Sequence, residues 1–183
     1  MLYAALVTTT EELQQIIRLQ QQNLIENIDD AEMRSQGFVT LRHDVARLEQ
    51  MHQLAPAVII KQEDQVVAYA LSMVQECRRL MPDLESMFGL LDLLTWNNKP
   101  LTSFRFYVMG QVCIAKEYRG KGLFEQLYEF HKKIYRSQFE LFVTEVSTRN
   151  HRSLRAHEKI GFKVIHTHRD LLDEWSIVAW DWS

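Results

Sequence analysis

Tyr118-Arg119-Gly120-Lys121-Gly122-Leu123-Phe124 is the stretch on which the reading of this chain turns. Before it, Phe104–Ala115 alternates apolar residues and predicts the longest strand, with Phe104, Phe106, Val108, Val112 and Ile114 on one face at a period of two. Gly110 interrupts that strand, and a glycine inside a strand marks a bulge or a close approach by another backbone. After it, a helix is expected from Gly120 to about Arg136, with Leu123, Leu127 and Ile134 inward. Two glycines between strand and helix let the backbone bend until several N–H groups converge. The positive end of the helix dipole adds to that field, and Arg119 and Lys121 add formal charge, so the turn suits a pyrophosphate.

The kind of nucleotide is narrowed by what is missing. A dinucleotide fingerprint has a third glycine where Glu125 stands, and no Gly-Lys-Ser/Thr follows at Walker A spacing. An isolated Gly-Lys-Gly also fits a plain strand–helix turn, so the surrounding elements have to decide.

Working outward, Leu2–Val7 reads as a first strand, and Thr10 as the N-cap of a helix carrying Leu13, Ile16, Ile17 and Leu24. Asn27–Gly37 is a polar loop or short helix. Val45, Leu48, Met51 and Leu54 form a second helix that stops before Pro56. Val58–Lys61 and Gln65–Met73 make a hairpin about Gln62-Glu63-Asp64. Residues 76–103, with Pro82 and Pro100, form an insertion whose own helix carries Leu84, Phe88, Leu91 and Leu94. Leu141–Ser147 is another strand. Asn150 opens a helix bearing Leu154, His157 and Ile160, and Gly161 closes it. Phe162–His168 and Trp175–Trp182 form a last antiparallel pair. The result is a mixed α/β sheet in a single domain over residues 1–183.

Composition agrees with one ordinary globular core: 183 residues, 46% hydrophobic and 25% charged, which excludes disorder. A net charge of -3 leaves no basic footprint for nucleic acid. Leu2–Val7 and Val58–Ile60, the most apolar stretches, are too short for a membrane span. Thr8-Thr9-Thr10-Glu11-Glu12 breaks any secretory pattern, and two cysteines, Cys77 and Cys113, imply no disulfide framework, so a cytoplasmic setting is expected.

One strand beyond the glycine turn come Asn150-His151-Arg152-Ser153 and His157-Glu158-Lys159-Ile160-Gly161-Phe162. With these two blocks in this order the chain resembles the GNAT superfamily of acyl-CoA N-acyltransferases. The family's Arg/Gln-x-x-Gly-x-Gly/Ala motif is met by Arg119 and Gly122. Its later pattern, an Asn, a small residue three on, then aromatic-Glu-Lys-x-Gly-Phe, is met by Asn150, Ser153 and Glu158-Lys159-Ile160-Gly161-Phe162. The match is specific over residues 104–182 and architectural over 1–103. Phe124 replaces the motif's last small residue, and His157 stands where the family often has a tyrosine.

The resemblance implies a mostly antiparallel, twisted sheet flanked by helices, with its central strands splayed apart. It implies acetyl-CoA as acyl donor, no metal, and direct transfer to a primary amine through a tetrahedral intermediate. Arg119, Gly120, Lys121, Gly122, Leu123 and Phe124 would hold the pyrophosphate, and the main chain of Val112, Cys113 and Ile114 the pantetheine arm, like an added strand. Asn150 would bond that arm or cap its helix, and the Ser153 hydroxyl would assist. A backbone N–H near the Gly110 bulge would steady the oxyanion. The amine, with a pKa of about 10.4 if lysine-like, must lose a proton before it attacks. Glu145 is the candidate base, against an ordinary surface ion pair. His157 is the candidate acid for the departing thiolate, against a core histidine. The acceptor, whether amino acid, polyamine, antibiotic or peptide, is left open. A non-catalytic acyl-CoA-binding regulatory module, signalling through the 76–103 insertion, is the alternative.

Other features are read as structural. His166 and His168 alternate on one strand face, but no third ligand accompanies them, so they are taken as surface residues rather than a metal site. Cys113 is a small buried hydrophobe rather than a nucleophile. Trp175, Trp180 and Trp182 pack the core and sheet edge, or cover a homodimer contact. Asp29, Asp30, Glu32, Asp83, Glu85 and Asp92 form a solvated face that would favour a cationic amine if it lined the cleft.

Overall fold

A computed structural model describes residues 1–183, the side chain of Arg34 excepted. The chain runs β1 (Leu2–Leu6), α1 (Thr10–Asn23), α2 (Asp30–Gln36), α3 (Val45–Leu54), β2 (Val58–Gln62), β3 (Gln65–Met73), α4 (Glu85–Leu91), β4 (Thr95–Trp96), β5 (Lys99–Pro100), β6 (Phe106–Ile114), α5 (Leu123–Tyr135), β7 (Leu141–Ser147), α6 (His151–Lys159), β8 (Lys163–Arg169) and β9 (Glu174–Asp181). Seven strands form one sheet in the order β1-β2-β3-β6-β7-β9-β8, while β4 and β5 make a small separate hairpin. Every pairing is antiparallel except β6 with β7. The mixed, mostly antiparallel sheet flanked by helices is the expected fold.

Helix α1 begins one residue earlier than the sequence suggests. Thr9, not Thr10, is the N-cap, and it shares a capping box with Glu12. The Glu12 carboxylate accepts from the N–H groups of Thr8 (2.7 Å) and Thr9 (3.2 Å), and from Lys61 on β2 (2.8 Å). One side chain therefore both starts the helix and ties it to the sheet.

Beneath α5, Tyr107, Tyr128 and Phe142 are fully buried, with Tyr107 and Phe142 stacked at 4.5 Å. His131 joins this layer. It donates from Nε2 to the Ala70 carbonyl (3.2 Å) and accepts the Tyr107 hydroxyl at Nδ1 (2.9 Å), and burial pushes its pKa down to about 3. The 76–103 insertion is pinned by Arg78, which bonds Glu85 and Asp92, and by Trp96, which donates to Asp181 (2.9 Å).

The centre of the sheet is irregular in two linked ways. Strands β6 and β7 pair only at Phe106–Leu141, Tyr107–Phe142 and Val108–Val143, and then part. Where they part, the Thr144 hydroxyl donates to the Met109 carbonyl (3.0 Å) in place of a main-chain bond. On the other side of β6, Ala70 pairs with Val112 and Ser72 with Met109, so Gly110 and Gln111 together face Leu71. This is the bulge expected at Gly110. It also overturns the single apolar face read from the sequence, because the extra residue inverts the alternation. Val112 and Ile114 share a face with Met109, opposite Val108.

Replacing Thr9 by Ala removes one half of the capping box. The expected cost is about 1 kcal/mol, read as a lower midpoint in urea or thermal unfolding.

Candidate active site

The glycine turn follows β6 through a short 3-10 turn, Lys116–Tyr118. Gly120 (φ 76°) and Gly122 (φ 75°) both lie in the left-handed region, which explains glycine at each. Gly122 caps α5 without a side-chain bond, and the first bond into the helix is Gln126 N–H to the Gly122 carbonyl (3.2 Å). The N–H groups of the first turn are thus left for another acceptor. A Cβ on Gly120 or Gly122 would meet no protein atom within 4 Å. The space beside the turn belongs to a cavity of about 440 Å³, walled by residues 36–39, by Val112, Cys113 and Ile114, by the turn itself, and by α6.

The turn's expected cations behave differently from the sequence reading. Arg119 lines the cavity, but its guanidinium, 11% exposed, bonds Glu32 (2.9 Å), the Asn23 side chain and the Ile114 carbonyl (3.3 Å). It bolts α1 and α2 to the turn instead of offering free charge. Lys116 (3.1 Å) and Arg119 together hold the Glu32 carboxyl below its usual range. Lys121 stands outside the cavity lining, over the Tyr118 ring at 5.0 Å. Positive charge enters the cavity from α6, through Arg152, Arg155 and Lys159, the last paired with Glu125 (2.7 Å). The acidic cluster has structural work: Asp29 caps α2, and Glu85 and Asp92 hold Arg78.

Of the two roles expected for Asn150, the structure has it capping. Its side-chain oxygen accepts the Ser153 N–H (3.2 Å), and its amide donates to the Phe38 carbonyl (3.4 Å), so the start of α6 is stitched to the segment after α2. Gly37 makes this possible. Its backbone (φ 80°, ψ 179°) is one that glycine alone adopts readily, and a Cβ there would sit 2.8 Å from the Asn150 oxygen.

A second cavity, about 90 Å³, lies in the gap between β6 and β7. It shares Phe38, Val39, Val112, Asn150 and Ser153 with the first, so the two adjoin through a common wall and together make a slot. Gly110, Thr144, Glu145, His157 and Trp175 line its inner end. Burial raises the Glu145 pKa, opposed by a hydrogen bond from His168 (2.5 Å). The expectation of His168 as a mere surface residue is therefore corrected, and Trp175 is cavity wall, whereas Trp180 and Trp182 are core.

His157 is buried, and burial pushes its pKa down to about 4. Nδ1–H donates to the Ser153 carbonyl (2.8 Å), which leaves Nε2 to accept the Tyr128 hydroxyl (2.6 Å). At neutral pH it is an uncharged imidazole whose one N–H is committed to the Ser153 carbonyl and whose other nitrogen accepts from Tyr128, an arrangement that does not favour the acid role expected there. Its position instead braces α6 against α5. The Ser153 hydroxyl lies next to it (3.3 Å), and Ser153 lines both cavities. Cys113 is buried, with its thiol pushed up to about 12, which suits a hydrophobe and not a nucleophile.

Behind the bulge, Gln111 accepts from Tyr69 (2.5 Å) and Gln20 (2.7 Å) and donates to the Leu41 carbonyl (2.7 Å). Gln20 also takes the His43 N–H (2.8 Å). This buried network fixes the 41–43 segment over the slot. Glutamines carry no motif, so only the bulge at Gly110 could have hinted at it.

Comparison with known proteins comes to the same region. The Acetyltransferase (GNAT) family matches residues 23–162. No curated protein sequence matches the chain. Among solved structures, the ribosomal-protein-S18-alanine N-acetyltransferase of Escherichia coli superposes with a TM-score of 0.68 at 14% identity, over 100% of this chain and 95% of that one. An acetyltransferase of the GNAT family from Streptococcus agalactiae gives 0.68 at 13%, over 100% and 96%. YncA of Salmonella typhimurium, solved with its cofactor acetyl-CoA, gives 0.63 at 13%, over 100% and 94%. At these identities the likeness is one of fold.

Gly37→Ala forces an unfavourable backbone and displaces the Asn150 side chain. The expected loss is about 1–3 kcal/mol of unfolding free energy, with early hydrogen exchange at the start of α6. A variant as stable as the parent would contradict the stitch between Asn150 and the segment after α2.

Proposed function

The chain belongs to the GNAT acetyltransferase family, and on that premise we propose that it transfers an acetyl group from acetyl-CoA to a primary amine by direct attack on the thioester. The observation that carries the reading is the pair of adjoining cavities, which run from an uncapped helix start to a half-buried carboxylate.

In this proposal the N–H groups of residues 120–125 hold the diphosphate of coenzyme A, helped by the helix dipole and the basic face of α6. The empty space that a Cβ on Gly120 or Gly122 would fill suits phosphate oxygens. The arm follows Val112, Cys113 and Ile114, whose β7-facing main-chain groups lie past the last β6–β7 pair. The amine reaches the thioester from the Glu145 side. The carboxylate, raised in pKa by burial, takes the ammonium proton. The nitrogen then attacks the carbonyl carbon, and a backbone N–H beside the Gly110 bulge stabilises the oxyanion. As the C–S bond breaks, the departing thiolate, hydrogen-bonded by the Ser153 hydroxyl, takes up the second proton from the nitrogen, leaving the neutral amide and the free thiol of coenzyme A. Glu145 in the slot favours this enzyme over a non-catalytic acyl-CoA-binding module.

Two experiments test the proposal. Gly122→Val puts a side chain into the phosphate space at a folding cost of about 1–2 kcal/mol. Calorimetry should show acetyl-CoA binding lost in a folded protein, and unchanged affinity would remove the turn from the site. A panel of L-lysine, spermidine, kanamycin and an alanyl peptide, read by free-thiol release from acetyl-CoA, should yield at least one acceptor. Tight binding with no release across the panel would favour the regulatory module.

A further inference from the structure

The proposed base has a partner that motif reading discards. Glu145 and His168 lie on strands β7 and β8, which are not neighbours, because β9 runs between them. Glu145 pairs with Ile177 of β9, and Ile177 pairs with His166 of β8. Side chains directly opposite in a sheet share a face, as do residues two apart in a strand. Glu145, Ile177, His166 and His168 therefore stand on one face. That arrangement depends on a defect. The register of β8 shifts between Val164 and His166, so Ile165 is an extra residue. Were the ladder unshifted, Ile165 would oppose Ile177, and both histidines would turn to the far side. Bulges re-aim side chains in this way.

The re-aimed His168 reaches across β9 to bond Glu145 Oε1 through Nε2 at 2.5 Å, with the two side chains 23% and 17% exposed. Because that contact occupies Oε1, Oε2 is left without a protein hydrogen-bond partner among the described residues. We infer that His168 is a positioning residue for catalysis: it fixes one carboxylate oxygen of Glu145 and leaves the other for the acceptor amine. The inference rests on the reading of Glu145 as the base.

Chemistry supports the geometry. A carboxylate half-withdrawn from water tends to take up a proton and stop being a base, and burial pushes Glu145 that way. A donor on Oε1 favours the ionised form, and the His168 bond lowers the Glu145 pKa accordingly. Other charges do not replace it. Just past the end of β8, Asp170 raises the Glu145 pKa, and on β8 the His166 ring only stacks on His168, at 6.1 Å. Arg169, also on β8, pairs with Glu174 of β9 (3.3 Å), and on the β7 side Arg149 pairs with Asp173 (2.8 Å).

The test is the pH dependence of acetyl transfer to the best acceptor of the amine panel, for the full chain and for three variants. In His168→Phe the donor is lost, so the Glu145 pKa rises. The acidic limb of kcat/KM should move up by about one pH unit, and kcat at pH values below that limb should fall about tenfold, with KM for acetyl-CoA unchanged. His168→Gln keeps an N–H at similar reach and should restore the parent profile to within about twofold. If the Phe variant does not fold, His168→Asn, whose amide falls short, should give the same shifted limb. A Phe or Asn profile that superimposes on the parent's overturns the role of His168. Glu145→Gln separates the two ideas. If it loses turnover while His168→Phe keeps the parent profile, only the positioning role fails. If it turns over like the parent, or if no acceptor is found, the base reading and this inference fail together.

Discussion

The parting of β6 and β7 after three paired residues is the constraint on which the rest of the site depends. Two parallel strands in a sheet normally continue their ladder, since an abandoned main-chain group costs free energy unless another partner is found. Here the Thr144 hydroxyl satisfies the Met109 carbonyl at the fork. On the opposite edge the Gly110–Gln111 bulge bends β6 away while keeping its pairing to β3. Gln111, the extra residue, is then bonded by Tyr69 and Gln20. The gap is therefore built into the sheet from both sides.

Around that gap the other devices fall into place. Segment 36–41 crosses from α2 over the slot and is fastened at Asn150 and at Gln111. Arg119 fastens α1 and α2 to the glycine turn through Asn23 and Glu32. His157 and Tyr128 lock α6 to α5. Three of these fastenings spend residues that the sequence would assign to chemistry, Arg119, Asn150 and His157. A guanidinium bonded on three sides is poorly available to a phosphate, and a buried imidazole with both nitrogens engaged is a poor acid at neutral pH.

Much of this fold is legible in the sequence, for identifiable reasons. Period-two alternation and the glycine turn locate β6, α5 and β7, and Gly110 announces the bulge. The blocks from Tyr118 to Phe124 and from Asn150 to Phe162 point to the family because the first sets two glycines at a helix start and the second brackets a helix between an N-cap Asn and a closing glycine, and such local constraints are legible in one sequence. What cannot be read is long-range. The phase inversion in β6 follows from pairing with β3, not from any residue in β6 alone. The Glu145–His168 bond needs the order of three strands and an extra residue at Ile165, where the sequence shows only an apolar residue in a strand. The role of Gly37 depends on Asn150, more than a hundred residues away.

If the fork between β6 and β7 exists to receive a cofactor, coenzyme A lies in it. A crystal structure of the chain with coenzyme A tests this most directly. It should have the diphosphate within hydrogen-bonding distance of the main-chain N–H groups of residues 120–125, and the pantetheine arm between the two strands with its sulfur near Ser153. A diphosphate bound elsewhere, or an arm that leaves the fork empty, would contradict it.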